Sequence, residues 1–346
     1  MHCSIITVYH YSYDGDAMKK ILLLTTGGTI ACRPGDMGLT PGKADALQLA
    51  LDRLENFYEI TVRDVMCLDS SNIRPVEWQQ IARCIFENRA GFDGVVVSHG
   101  TDTMAYTASA VTFMLPGIDL PVVFTGSQLP LADPMSDGMD NLNTAFAMAA
   151  SGKPGVFVAF DRKVMLGCRA VKTSATEFSA FESINARYVA KVTSQGLWLR
   201  SGTPAASANA APQLLPELNT DVFLLKLTPG LSSSIFDALK GLGYKGIVIE
   251  AFGLGGMNVL GRGLQGIQNA IESGISVVVT SQCLSGTADL GVYEVGRKLL
   301  ALGVIPGGDM TSEAALTKLM WALGQGYSQA EISDLFNRSL AGEITV

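Results

Sequence analysis

The sequence predicts an α/β protein of two domains, the first on a larger, mostly parallel sheet with helices on both faces and the second a smaller α/β unit. Three observations predict it. Short apolar runs rich in Val, Ile and Leu recur along the chain, and segments with helical spacing alternate with them. Strands covered on both faces read as continuous apolar runs, and their alternation with helices marks parallel βαβ units. The alternation breaks over residues 201–216, a stretch of small residues without apolar periodicity, and then resumes. Finally, 346 residues, 48% hydrophobic and 16% charged, suffice to bury two cores.

Residues 1–18 hold His2, Tyr9, His10, Tyr11 and Tyr13 and run up to a second methionine, Met18. With neither a charged start nor an apolar stretch they do not read as a secretory signal, and they are expected to form an extension outside the fold. The first domain is expected over 19–200, with strands at 21–24, 60–65, 94–97, 122–124 and 156–160. Helices are expected at 75–89, with Pro75 early in the first turn, at 104–115 and at 141–150. A linker is expected over 201–220. The second domain, 221–346, has strands at 222–227, 246–251 and 276–280, a helix ending near Gly303, and helices at 312–323 and 328–337. Ser328 and Glu331 have capping-box spacing at the start of the last.

Composition removes several function classes. The net charge is −7 and the 25 Lys and Arg are scattered, so no basic stripe suits a phosphate backbone and nucleic acid is not an expected partner. No window approaches the roughly 20 apolar residues of a membrane span. The six cysteines stand singly, without a CxxC pair, which argues against a disulfide framework or a zinc site and fits a reducing, cytoplasmic compartment. Of the three histidines only His99 lies inside the expected fold, so neither a Ser-His-Asp triad nor an HExxH metal site is assured. Gly253-Leu254-Gly255 is followed by Asn258 where a dinucleotide fingerprint needs glycine, and the 256–261 glycine pair lacks the following Lys of a phosphate loop. No cofactor and no metal are expected. A hydrolase on this chain would move its protons through lysine or a carboxylate.

Two loops stand at the carboxyl ends of expected strands, the edge where open α/β sheets bind ligands. In Thr25-Thr26-Gly27-Gly28-Thr29-Ile30 the two glycines allow a tight turn that exposes the Thr29 hydroxyl. In Ser98-His99-Gly100-Thr101-Asp102-Thr103 hydroxyls, a carboxylate and helix-start amides converge, a setting suited to nucleophile activation and anion binding. Either loop alone also reads as ordinary turn and helix-cap chemistry.

Together, and about seventy residues apart, the loops resemble the T-G-G-T-I and H-G-T-D-T-M signatures of the bacterial-type asparaginases. The likeness extends through Leu68-Asp69-Ser70-Ser71, Phe124-Thr125-Gly126-Ser127-Gln128, Ser136-Asp137-Gly138, Lys172-Thr173 and Thr280-Ser281-Gln282-Cys283, and so spans residues 19–326. The chain looks most like the cytoplasmic type I branch. The resemblance implies hydrolysis of the side-chain amide of L-asparagine through an acyl-enzyme. It makes Thr29 the nucleophile and Thr101, Asp102 and Lys172 the second catalytic group, with substrate contacts at Gly28, Asp69, Ser70, Ser71, Gly100 and Gln128. Ser70 matches the family's ligand for the substrate carboxylate.

The family is also marked by subunit pairs that complete each other's sites, which implies a homodimer or a dimer of dimers and places Asn258 near a cross-subunit contact, against a reading as a plain loop asparagine. The chain departs from the pattern at Leu39, which stands where many members have a tyrosine that orients the nucleophile. Tyr293 is the candidate replacement, against a reading as a buried core tyrosine. Competing readings are a glutaminase-asparaginase, the amidase subunit of a tRNA-dependent amidotransferase, whose extra amino-terminal domain has no counterpart here, and an amino-acid-binding sensor with a dead site.

Overall fold

In the computed structural model the apolar runs lie side by side as strands; the described residues are 7–9, 17–35, 38–40, 44–202, 211–258 and 263–345. They fall into two units, Met1–Pro216 and Glu217–Val346.

The first unit opens with β1 (Thr7–Tyr9), β2 (Lys19–Gly27), the hairpin strands β3 (Arg33–Gly35) and β4 (Gly38–Thr40), and β5 (Tyr58–Leu68). It continues with β6 (Gly94–Ser98), β7 (Pro121–Thr125), β8 (Gly155–Phe160) and β9 (Lys163–Leu166). Four short strands close it: β10 (Ala170–Lys172), β11 (Phe181–Ser183), β12 (Ala190–Thr193) and β13 (Gly196–Leu199). Its main sheet has the order β1-β13-β12-β9-β8-β7-β6-β2-β5. From β5 to β8 the pairs are parallel, and from β8 to β1 antiparallel. β6, β7 and β8 are buried at every residue, as their unbroken apolar runs require. β5 is the edge strand, and its exposed Glu59, Thr61, Arg63 and Asp64 explain why only part of its length reads as apolar.

Four helices cover this sheet, α1 (Gln48–Leu54), α2 (Pro75–Asn88), α3 (Met104–Met114) and α4 (Gly138–Ala149). α4 packs on β6, β7 and β8, and α3 on β7, β8 and α2. α3 buries all its residues but Tyr106, so it carries no polar stripe.

Two differences from the sequence reading stand out. Thr7–Tyr9, expected outside the fold, pairs antiparallel with β13 and adds a strand to the sheet edge. The antiparallel extension β9 to β13 was not among the expected strands, although β9 carries the buried apolar run Val164-Met165-Leu166, and its first turn lacks glycine: Asp161 and Arg162 both adopt left-handed φ, 48° and 60°, between the paired Phe160 and Lys163. Such a two-residue hairpin turn normally uses Asn or Gly. Here α4 supports it, because Asn141 Oδ1 accepts the Asp161 N–H (2.9 Å) and Asp140 pairs with Arg162 (2.6 Å).

Residues 203–210 of the expected linker lie outside the described residues. Beyond them the chain is bonded along the first unit, Gln213 and Leu215 donating to the Pro116 and Met114 carbonyls (3.0 and 2.9 Å).

The second unit carries a parallel sheet of β14 (Val222–Lys226), β15 (Gly246–Ala251), β16 (Ser276–Ser281) and β17 (Ile305–Pro306), in that order. Its helices are α5 (Ser234–Gly241), α6 (Gly263–Glu272), α7 (Glu294–Ala301), α8 (Ser312–Gly324) and α9 (Gln329–Phe336). The Ser328–Glu331 capping box forms at the start of α9. A fully buried ion pair, Lys318 with Glu343 at 2.6 Å, ties α8 to the segment after α9. The pair is further satisfied, as buried charges must be: Lys318 donates to the Arg338 carbonyl (3.1 Å) and Glu343 accepts the Leu340 and Ala341 N–H groups. Among the described residues no helix is long and apolar enough to cross a membrane.

Candidate active site

The adjacent strands β5, β2 and β6 end in three loops that meet at the carboxyl edge of the first sheet. The meeting is close enough to dictate glycine. Gly28 has φ 82°, and a Cβ there would lie 2.4 Å from the Gly100 nitrogen. A Cβ on Gly100 would in turn lie 2.6 Å from Ser70 Oγ. The loops bearing Thr29 and Thr101 are thus pressed together backbone to backbone, with the Ser70 side chain packed against Gly100. Hydrogen bonds fasten them: Thr26 Oγ1 donates to the Ser98 carbonyl (2.9 Å), and Thr103 Oγ1 donates to the Ser70 carbonyl (2.7 Å).

Thr29 opens a single 3-10 turn, Thr29–Ala31, and is half-buried. Its hydroxyl makes no hydrogen bond among the described residues, so it is available to a reactant. The Gly28 N–H is taken by the Leu68 carbonyl (3.2 Å). Of the glycine-loop amides, those of Thr29, Gly100 and Thr101 make no hydrogen bond among the described residues and can face an oxyanion.

Thr101 is 5% exposed, at the floor of the site. Lys172, the last residue of β10, reaches across and donates to Thr101 Oγ1 (2.8 Å) and Asp102 Oδ1 (2.6 Å). Asp102 projects outward, its side chain 64% exposed, while the Lys172 side chain is 17% exposed. An ammonium that bridges a buried hydroxyl and an accessible carboxylate can take the hydroxyl's proton by handing one of its own to the carboxylate, an exchange that requires no histidine.

The carboxylate-binding candidates divide. Ser70 is buried beside Gly100. Ser71, by contrast, gives both its amide (2.8 Å) and its hydroxyl (2.6 Å) to Asp69, which caps the short turn Ser70–Asn72. Those two bonds, hydroxyl first, hold the Asp69 carboxyl below its ordinary value.

His99 stands behind the Gly100–Thr101 loop, fully buried, with Nδ1 on the Gly100 carbonyl (2.7 Å) and Nε2 on Thr107 Oγ1 (2.9 Å). Burial pushes its pKa down to about 4, so the ring is neutral and serves as an anchor. Neither His99 as an anchor nor Asp137 was identified from sequence. The Asp137 carboxylate accepts the N–H groups of Gln128 (3.0 Å) and Leu129 (3.2 Å) and the Asn141 amide (2.9 Å), fixing the loop after β7. The Ser136-Asp137-Gly138 motif holds the signal that could have marked it.

Gln128 joins Thr29, Ser70, Thr101, Asp102 and Lys172 in the first unit and touches Thr101 directly (3.2 Å). Asn258 and Tyr293 belong to the second unit. Asn258 is exposed ahead of α6. Tyr293 caps the start of α7 at 63% exposure, so the reading of it as a core tyrosine does not hold. Leu39 pairs with Pro34 in the β3–β4 hairpin, and its side chain lies outside the described residues.

Comparison with known proteins gives the family. The family described as Asparaginase, N-terminal matches residues 20–204, and that described as Glutaminase/Asparaginase C-terminal domain matches 221–336. An L-asparaginase of Thermococcus kodakarensis is 44% identical over 94% of this chain and 99% of its own length. One subunit of the glutamyl-tRNA(Gln) amidotransferase of Aeropyrum pernix is 35% identical over 95% of this chain and 80% of its own. The crystal structure of L-asparaginase I from Vibrio cholerae superposes with a TM-score of 0.87 at 33% identity, covering 95% of this chain and all of that one (100%). With both family domains matched in order and the threonine, lysine and aspartate signatures in place, the chain belongs to the bacterial-type L-asparaginase family, in its type I branch.

Proposed function

We propose that this protein is a cytoplasmic L-asparaginase that works through an acyl-enzyme on Thr29. Thr29 Oγ1 attacks the side-chain amide carbon of asparagine, the C–N bond breaks, and the nitrogen leaves as ammonia after taking a proton. Water then attacks the aspartyl ester, releasing aspartate and restoring the Thr29 hydroxyl. The observation that carries the reading is the Lys172 ammonium held on Thr101 Oγ1 and Asp102 at once (2.8 and 2.6 Å). In each half-reaction Thr101 Oγ1 takes the nucleophile's proton while its own proton passes to Lys172 and Lys172 gives one to Asp102, the sequence reversing to protonate the leaving group, and the Thr29 and Thr101 amides stabilise the tetrahedral oxyanion. The substrate carboxylate sits at Ser70, and the exposed Asp102 carboxylate faces its ammonium group.

Ammonia release from asparagine and glutamine over a range of concentrations tests the activity and its selectivity. Thr29→Val, Thr101→Val and Lys172→Met are each expected to lose on the order of a thousandfold in kcat with the fold retained. Near-normal turnover in any of them refutes the assignment. The reading extends to a homodimer or dimer of dimers in which Asn258 contributes across subunits. Activity and sedimentation are then expected to fall together on dilution, and a fully active monomer removes this part.

A further inference from the structure

The resemblance makes Gln128 a substrate contact, but its hydrogen bonds describe a different task. Its Nε2 has two protons, and both are used: one on the Ala175 carbonyl (3.1 Å) and one on the Glu177 carbonyl (3.2 Å). Carbonyls only accept, so the amide cannot be turned round without setting oxygen against two oxygens. Oε1 must therefore face Thr101. On the other side an ammonium only donates, so Thr101 Oγ1 accepts from Lys172 and sends its own proton to Gln128 Oε1 (3.2 Å). The chain of bonds has one direction, Lys172 to Thr101 to Gln128 to the Ala175 and Glu177 carbonyls.

We propose that Gln128 is a positioning residue of the relay, holding the Thr101 proton aside so that this hydroxyl presents a lone pair, and not a hydrogen, to the reactant. From that resting orientation the lone pair of Thr101 takes the reactant's proton as the hydroxyl's own proton turns from Gln128 to Lys172 and Lys172 hands one to Asp102, so that each group gains one proton and gives one up. The inference rests on the relay proposed above.

Both ends of Gln128 are anchored accordingly. Its backbone N–H sits on the Asp137 carboxylate (3.0 Å), which Asn141 of α4 holds in turn (2.9 Å). Its amide grips the tip of the β10–β11 hairpin, the loop that directly follows Lys172. That loop is fastened at its far end as well, where Lys163 donates to Ser179 (2.8 Å) and Glu182 (3.2 Å). One side chain thus sets the Thr101 hydroxyl and steadies the loop that delivers Lys172.

Gln128→Met removes the acceptor and the grip while leaving two carbonyls that water can reach. It is expected to lower kcat for asparagine about tenfold to a hundredfold with KM within about twofold and Tm unchanged. A rise in KM with kcat kept identifies a substrate ligand instead, and a lowered Tm with full turnover per folded molecule identifies a structural prop. Either result overturns the proposal. The decisive measurement is a double-mutant cycle with Thr101→Val. If Gln128 acts through Thr101, the double variant is no slower than Thr101→Val alone; if the losses multiply, the inference is wrong. Gln128→Leu, which also removes the acceptor, enters the same cycle with the same expectation should the Met variant fold poorly. Full activity in Thr101→Val would overturn both the relay and this inference, whereas multiplying losses overturn the inference alone.

Discussion

Acid is expected to loosen the first unit at His99. The ring is fully buried and neutral, and burial lowers its pKa from the ordinary 6.5 to about 4. Between those values the unfolded chain binds a proton that the folded chain refuses. Stability therefore falls as pH drops through that window and does not depend on this group above it. At about 1.36 kcal/mol per pH unit the gap amounts to about 3 kcal/mol, a large part of a typical domain's stability. The geometry explains the refusal. A second proton would sit on Nε2, against Thr107 in the first turn of α3, where the helix dipole already places positive charge.

The perturbation is His99→Gln, which loses some stability at pH 7 through its packing on Phe124 but has nothing to titrate. Urea midpoints of both proteins are to be measured from pH 7 to 4. The difference between them is expected to shrink by about 3 kcal/mol over that range. Carboxylates such as Asp69, held low by the Ser71 hydroxyl and amide, titrate in both proteins and cancel from the difference. Two stability curves that run parallel would refute the argument.

Two further outcomes follow from the second unit. Burial pushes the Glu343 carboxyl up, and Lys318 with the Leu340 and Ala341 amides holds it below its ordinary value regardless. Lys318→Met leaves that buried carboxylate without its counter-charge and is expected to cost about 3 to 5 kcal/mol in chemical denaturation, while adding Glu343→Leu recovers most of the loss; equal stability of single variant and wild type would contradict this. Tyr293 is mostly exposed, so Tyr293→Phe is expected to keep Tm and, where its hydroxyl orients Thr29, to lose about tenfold to a thousandfold in kcat. Unchanged kcat removes it from the site.

The parallel core was legible because strands covered on both faces leave no polar residue to interrupt them, as in Val95 to Val97 and Val122 to Phe124. The antiparallel extension was not, because its turn is held by α4 side chains twenty residues away and not by a local glycine signal. β5 read short because an edge strand carries charge on its open side. In the site, Thr29, Thr101, Asp102 and Lys172 were marked by motif. Geometry was needed to see that Ser71 is spent on Asp69, that the Gly28 amide is spent on Leu68, and that His99 is an anchor. Those facts depend on partners that no local pattern encodes.

The site is stitched from remote parts of the chain. Thr101 meets Lys172 across 71 residues, Thr26 meets Ser98 across 72, and Thr103 meets Ser70 across 33. None of these contacts forms within one helix or one hairpin, and each requires a long loop to close first. In refolding, turnover is therefore expected to return only once these long-range contacts have closed, and not with helix formation alone.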